Sequence, residues 1–179
     1  LSAKIQELKD KNITVVFSAG NDSSNLDLDG TTDESELSSV IGVGASSVEN
    51  DITSYSNYGS QIDLIAPAGG NTTDGLLGIL SLDLTGTNGI NTSTQLDLVN
   101  YNYSFVQGTS FSAPTVSGVV ALLLAAKPTL TADEIRQILI DTADKVGTSN
   151  GADYSVNNFD VKRAYGKINA GNAMTEALK

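Results

Sequence analysis

Three short runs of consecutive apolar residues constrain the fold of this chain more than anything else in it. They are Ile13-Thr14-Val15-Val16-Phe17-Ser18, Val40-Ile41-Gly42-Val43-Gly44-Ala45 and Ile62-Asp63-Leu64-Ile65-Ala66, the last stopped by Pro67. A strand with one face in water alternates apolar and polar residues. A largely unbroken β-branched run has both faces covered, which is the condition of a strand in a parallel sheet. Such a sheet needs helices over both faces, so the expected class is α/β.

The helical signals follow the other period. Over residues 2 to 10, Ile5 and Leu8 share a face among Lys4, Glu7, Lys9 and Asp10. Val116, Val119, Val120, Leu122, Leu123 and Leu124 crowd one segment with small residues between them, the pattern of a helix buried nearly all round, and Pro128 ends it. Thr131 and Glu134 are spaced as a capping box for a further helix whose inner face is Ile135, Ile138 and Leu139. A last helix is expected over about 169 to 178, capped at Asn169 or a neighbour. Between the strands and the long helix, apolar alternations at residues 79 to 84 and 96 to 106 bracket a turn-rich stretch around Thr87-Asn88-Gly89, which predicts an irregular hairpin. No apolar run approaches the roughly 18 residues of a membrane span, and 179 residues suit one domain.

Composition narrows the chemistry. Ten Lys and Arg against 21 Asp and Glu leave a net charge of −11 with no basic cluster to offset it, which disfavours nucleic acid as a partner. The absence of Cys excludes a disulfide framework and thiolate metal sites. The absence of His excludes any imidazole chemistry completed by this chain alone, whether a Ser–His pair or a His-ligated metal.

Two segments carry chemistry of their own. Gln107-Gly108-Thr109-Ser110-Phe111-Ser112-Ala113-Pro114 runs straight into the long helix. Pro114 is tolerated there because first-turn amides have no intrahelical acceptor. Ser110 then sits at the positive end of the helix dipole among free backbone donors, where negative charge on a bound carbonyl oxygen can be stabilised. Ser18-Ala19-Gly20-Asn21-Asp22 ends the first strand, and the carboxyl ends of parallel strands line the functional crevice of an open sheet. Taken singly, these are a helix-cap serine and a turn signal.

Together with Val40 to Ala45, Ser54-Tyr55-Ser56-Asn57-Tyr58-Gly59, Leu64-Ile65-Ala66-Pro67 and Tyr165-Gly166-Lys167-Ile168-Asn169-Ala170, the two segments resemble the subtilases, the subtilisin-like serine peptidases, over nearly the whole chain. The resemblance implies a partial three-layer αβα subtilisin-like fold with a mainly parallel sheet whose amino-terminal strands are missing. Residues 1–179 would be the carboxyl-terminal portion of one catalytic domain, with a long polar insertion at about 69–103. It implies Ser110 as nucleophile with its own amide as one oxyanion donor, and Asn21 as the other. Ser18, Ala19 and Gly20 would line the pocket for the residue preceding the cleaved bond.

The triad Asp and His lie upstream of the Ala-Gly-Asn segment in this family, so they are expected in an upstream segment of the same catalytic domain, as the partner of this chain. The implied activity is serine endopeptidase action on protein or peptide substrates, with no cofactor required for the chemistry, in a secreted or cell-surface protein. The isolated chain is expected to be inactive. The alternative is a non-catalytic pseudopeptidase or binding domain of the same fold. The retention of both Ser110 and Asn21 speaks against it.

A further feature comes from spacing alone. Asn25, Asp27, Asp29, Asp33 and Glu36, with Gly30 at the sixth place, follow the order of a calcium loop, so a structural Ca²⁺ is a candidate there. Against it, the flanks do not read as the two helices such a loop usually joins.

Overall fold

The structure, a computed structural model, describes residues 1–28, 30, 32–70, 78–90 and 102–179. Its sheet has three parallel strands, β1 (Val16–Ser18), β2 (Ile41–Ser46) and β3 (Leu64–Pro67), in the order β1-β2-β3. Val16 pairs with Ile41 and Val43 with Leu64. All six residues of β2 are buried, as expected of the central strand. β1 departs from expectation, because only Val16–Ser18 is strand, all three are half-buried, and Ile13 is 47% exposed. The reason is position, since β1 has a strand neighbour on one side alone. The far side of β3 is closed by backbone hydrogen bonds between Ile65 and residues Gly166 and Ile168.

Helices α1 (Ser2–Asp10), α2 (Thr109–Ala126), α3 (Ala132–Asp141) and α4 (Ala170–Ala177) fall close to the predicted segments. α1 buries Ile5 but leaves Leu8 38% exposed. α2, α3 and α4 share one apolar cluster with the sheet, in which Ile41, Val43, Leu64 and Ala66 meet Val116, Leu123, Ile135, Leu139 and Ala173. Leu123 is completely buried there, and truncation to Ala would cost about 3 kcal/mol. At Gly42 the opposite face of β2 is covered by the turn Glu34–Glu36. A Cβ at Gly42 would overlap the Ser35 carbonyl oxygen.

Contrary to the all-round burial expected of it, α2 exposes Leu122 (54%) and Leu124 (36%). Its 18 residues reach the length and apolar content of a membrane-crossing helix, but it packs against all three strands of the sheet and against α4. The predicted hairpin is present in the described part of the 69–103 connection as β4 (Ile79–Leu82) antiparallel to β5 (Tyr103–Val106).

Candidate active site

The amino end of α2 is tied to the carboxyl ends of two strands at once. On the β1 side, the Thr109 amide donates to Asn21 Oδ1 at 2.9 Å and the Thr109 hydroxyl donates to the same oxygen at 3.0 Å. The Gly20 amide donates to Thr109 Oγ1 at 3.2 Å, so Thr109, fully buried, is held from both directions. On the β3 side, the Ser112 hydroxyl donates to the Ala66 carbonyl at 3.1 Å. Tyr55 completes the second tie, accepting from the Gly108 amide at 3.0 Å and donating to the Gly69 carbonyl at 2.8 Å. Burial pushes the Tyr55 phenol above its ordinary 10.0, so its proton stays available for that bond. Gly108, the residue before the helix, has φ +130, a conformation that residues with a Cβ rarely adopt.

These ties separate the two serines of the motif. Ser112 is buried and bonded to the sheet, whereas Ser110 is exposed, and among the described residues its hydroxyl has no hydrogen-bond partner. The Ser110 amide lies in the first turn of α2 and has no intrahelical acceptor. The Asn21 amide group is also oriented. A backbone N–H can only donate, so the carboxamide oxygen must face Thr109, which leaves the Nδ2 hydrogens directed elsewhere. Asn21 and the Ser110 turn are thereby brought together at the positive end of an 18-residue helix, and among the described residues two N–H donors there are uncommitted. Chemically, this arrangement can hold a developing oxyanion beside a hydroxyl, and the chain has no imidazole to act as its base.

Of the residues predicted to line a specificity pocket, Ser18 and Gly20 are half-buried, while Ala19 is 1% exposed and packs with Leu26, Ile62 and Ala164. Asn57 supports this segment, its Oδ1 accepting from the Asp22 and Ser24 amides at 2.9 and 3.0 Å. Thr109, Tyr55 and Asn57 were not singled out as site residues by sequence reasoning. The nearest signal was the Ser54 to Gly59 stretch, which contains Tyr55 and Asn57 but does not say what they touch.

The candidate calcium ligands are employed otherwise. Asp27 accepts from the Ser60 amide and hydroxyl, the latter at 2.6 Å. Asp33 and Glu36 cap the turn Glu34–Glu36 reciprocally, and Asn25 Oδ1 accepts from the Asp27 amide. Asp29 lies outside the described residues. Among the described residues no three acidic side chains converge as a metal site. Capping boxes and Asx turns use the same residue types as a calcium loop.

A family model described as "Subtilase family" matches residues 1–167. The calcium-dependent protease of Trichormus variabilis is 32% identical over 171 residues, 94% of this chain and 25% of that protein. A probable subtilase-type serine protease of Deinococcus radiodurans is 33% identical over 160 residues, 89% of this chain and 20% of its own length. The crystal structure of a lanthipeptide protease superposes with a TM-score of 0.77 at 27% identity, over 98% of this chain and 54% of that one. The chain spans a quarter or less of the length of these two curated relatives.

Proposed function

This chain belongs to the subtilase family, and from that premise we propose that the complete protein is a serine endopeptidase in which Ser110 forms the acyl-enzyme. The Ser110 oxygen attacks the scissile carbonyl carbon, and the Asn21 Nδ2 and Ser110 amides hold the resulting oxyanion. The carbon–nitrogen bond then breaks, the leaving amine takes up the serine proton, and water releases the acid. The group that carries the proton is an imidazole, and since this chain has no His it comes from an upstream segment of the same catalytic domain, along with the triad Asp. Ser18 to Gly20 are assigned to the wall of the acyl-side pocket, Ala19 through its backbone because its side chain is buried.

The observation that carries this reading is the double hydrogen bond from Thr109 to Asn21 Oδ1, which aims an amide donor beside an otherwise unengaged serine. The name of one relative, a halolysin-like extracellular serine protease of Natrialba magadii, supports a secreted or cell-surface protein. The name calcium-dependent protease supports a calcium requirement, for which no site is assigned among the described residues.

The test is to treat the complete protein with a fluorophosphonate ester and locate the adduct by mass spectrometry. A Ser110 adduct, with peptide hydrolysis abolished in Ser110→Ala, is expected. An intact, folded protein that neither labels at Ser110 nor cleaves peptides supports the alternative of a pseudopeptidase.

A further inference from the structure

The hairpin β4–β5 carries apolar residues on both faces, including the one turned to solvent. Leu80 pairs with Phe105 and Leu82 with Tyr103, while Ile79 pairs with Val106 and Ser81 with Ser104. Directly opposed residues share a face of a ribbon, so one face carries Leu80, Leu82, Tyr103 and Phe105 and the other carries Ile79, Ser81, Ser104 and Val106. The second face is turned toward the protein, with Ser104 only 6% exposed and Ile79, Ser81 and Val106 half-buried. The first face is largely in water, with Leu80 51%, Leu82 81% and Tyr103 40% exposed and Phe105 half-buried. An outward face of this kind leaves hydrophobic stabilisation unrealised, so it needs an occupant to account for it.

Its position limits what that occupant is. The chain leaves the sheet at the end of β3 to enter the hairpin, and β5 returns two residues before Gly108. The residues assigned to the acyl-side pocket are on β1, at the other edge of the sheet. Ser110 lies between, because α2 is tied to both edges. The hairpin therefore flanks the leaving-group side of Ser110. Phe105 is five residues before Ser110, so the near end of the outward face lies within about 18 Å of the hydroxyl. That is about five residues of an extended peptide. Leu80 and Leu82 are about 6.8 Å apart along the strand, the interval at which an extended peptide repeats side chains on one face. Neither described strand carries a charged residue, in a chain of net charge −11.

We propose that the outward face of this hairpin, centred on Leu80 and Leu82, is a specificity subsite for apolar side chains at alternate positions on the leaving-group side of the scissile bond. The proposal rests on the peptidase reading above and adds a substrate class to it. Substrates rich in charge beyond the cleaved bond gain nothing from this face.

The experiment uses the complete protein and quenched fluorescent peptides identical on the acyl side, with leaving-group segments carrying either Leu or Ser at alternate positions. Wild type is expected to prefer the Leu series, and the double variant Leu80→Ser/Leu82→Ser to lose that preference by at least about 10-fold in the ratio of kcat/KM values. Both side chains are exposed, so the variant should fold, and circular dichroism checks it. A ratio unchanged by the variant overturns the subsite while leaving the peptidase reading intact. So does a variant that loses self-association or vesicle binding with its peptide preference retained, since the face then belongs to a second copy or to lipid. Wild type that cleaves neither series nor a simple peptide ester overturns the peptidase reading, and the subsite with it.

Discussion

Replacing Thr109 by Val isolates one hydroxyl at the junction of α2 and β1. The side chain keeps its shape, but the bond to Asn21 Oδ1 at 3.0 Å and the bond from the Gly20 amide at 3.2 Å are both lost. Each contributes about 1 kcal/mol net, and the buried site denies Gly20 an easy substitute, so the expected loss of stability is about 2 kcal/mol. In urea that is a midpoint shift of about 1 M, measured in a Ser110→Ala background so that autolysis plays no part. Asn21 retains the bond from the Thr109 amide at 2.9 Å, so its carboxamide is loosened and not released. Losing one restraint of about 1 kcal/mol predicts a fall in kcat of roughly 5- to 10-fold in the active protein. That is less than the roughly 10²–10³ for removing such an Asn outright, a figure established on subtilisin, a member of this family. Thr109→Ser keeps the hydroxyl and should recover most of both quantities. A Val variant with wild-type midpoint and kcat would refute the argument that this hydroxyl orients the oxyanion donor.

Arg163, with a side chain 8% exposed, is held by Asp51 at 2.6 Å and Asp160 at 3.3 Å. Arg163→Met strands two largely buried carboxylates and should cost about 3 to 5 kcal/mol by denaturant titration. Gly147 has φ +71 and a Cβ there would overlap Arg163 Nε, so Gly147→Ala should destabilise by more than about 1 kcal/mol in the same assay. Two carboxylates should contribute opposite pH dependences. Burial opposes the charge on Asp51, but hydrogen bonds from Arg163, Asn150 and the Ile52 amide outweigh it and hold the carboxyl below 3.8. Its stabilisation is therefore present above pH 3.8 and lost as pH falls through its lowered value, a loss that Asp51→Asn should abolish. Burial raises Asp63 above 3.8 despite Arg136 and the Gly42 amide, so its contribution is full below 3.8 and is lost as pH rises through the raised value. Asp63→Asn should flatten the stability profile in that window. Finally, the isolated 179-residue chain should hydrolyse no peptide ester, for want of a base; hydrolysis that disappears in Ser110→Ala would show another group activating the serine.

What could be read from sequence was what neighbours along the chain decide. Thr131 and Glu134 form both bonds of the capping box, with the Thr131 amide donating to Glu134 at 2.7 Å. Asn169 caps α4 through the Asn172 amide. The unbroken apolar run at β2 is buried along its whole length. These signals act over two to four residues, or report a single strand's surroundings, so composition and spacing carry them. The same locality leaves Asn25 to Glu36 ambiguous, because caps, turns and calcium loops share residue types there.

Tertiary structure alone decided the rest. The partner of Asn21 is 88 residues away, and Tyr55 reaches Gly108 across 53. The exposure of Leu122 follows from which side of α2 meets the sheet, and that of Ile13 from β1 lying at an edge. The sequence determined that a parallel α/β sheet forms and that a serine stands at a helix entrance; only the packing of α2 across two strand ends decided which donors surround that serine, because a hydrogen bond between distant segments has no period along the chain.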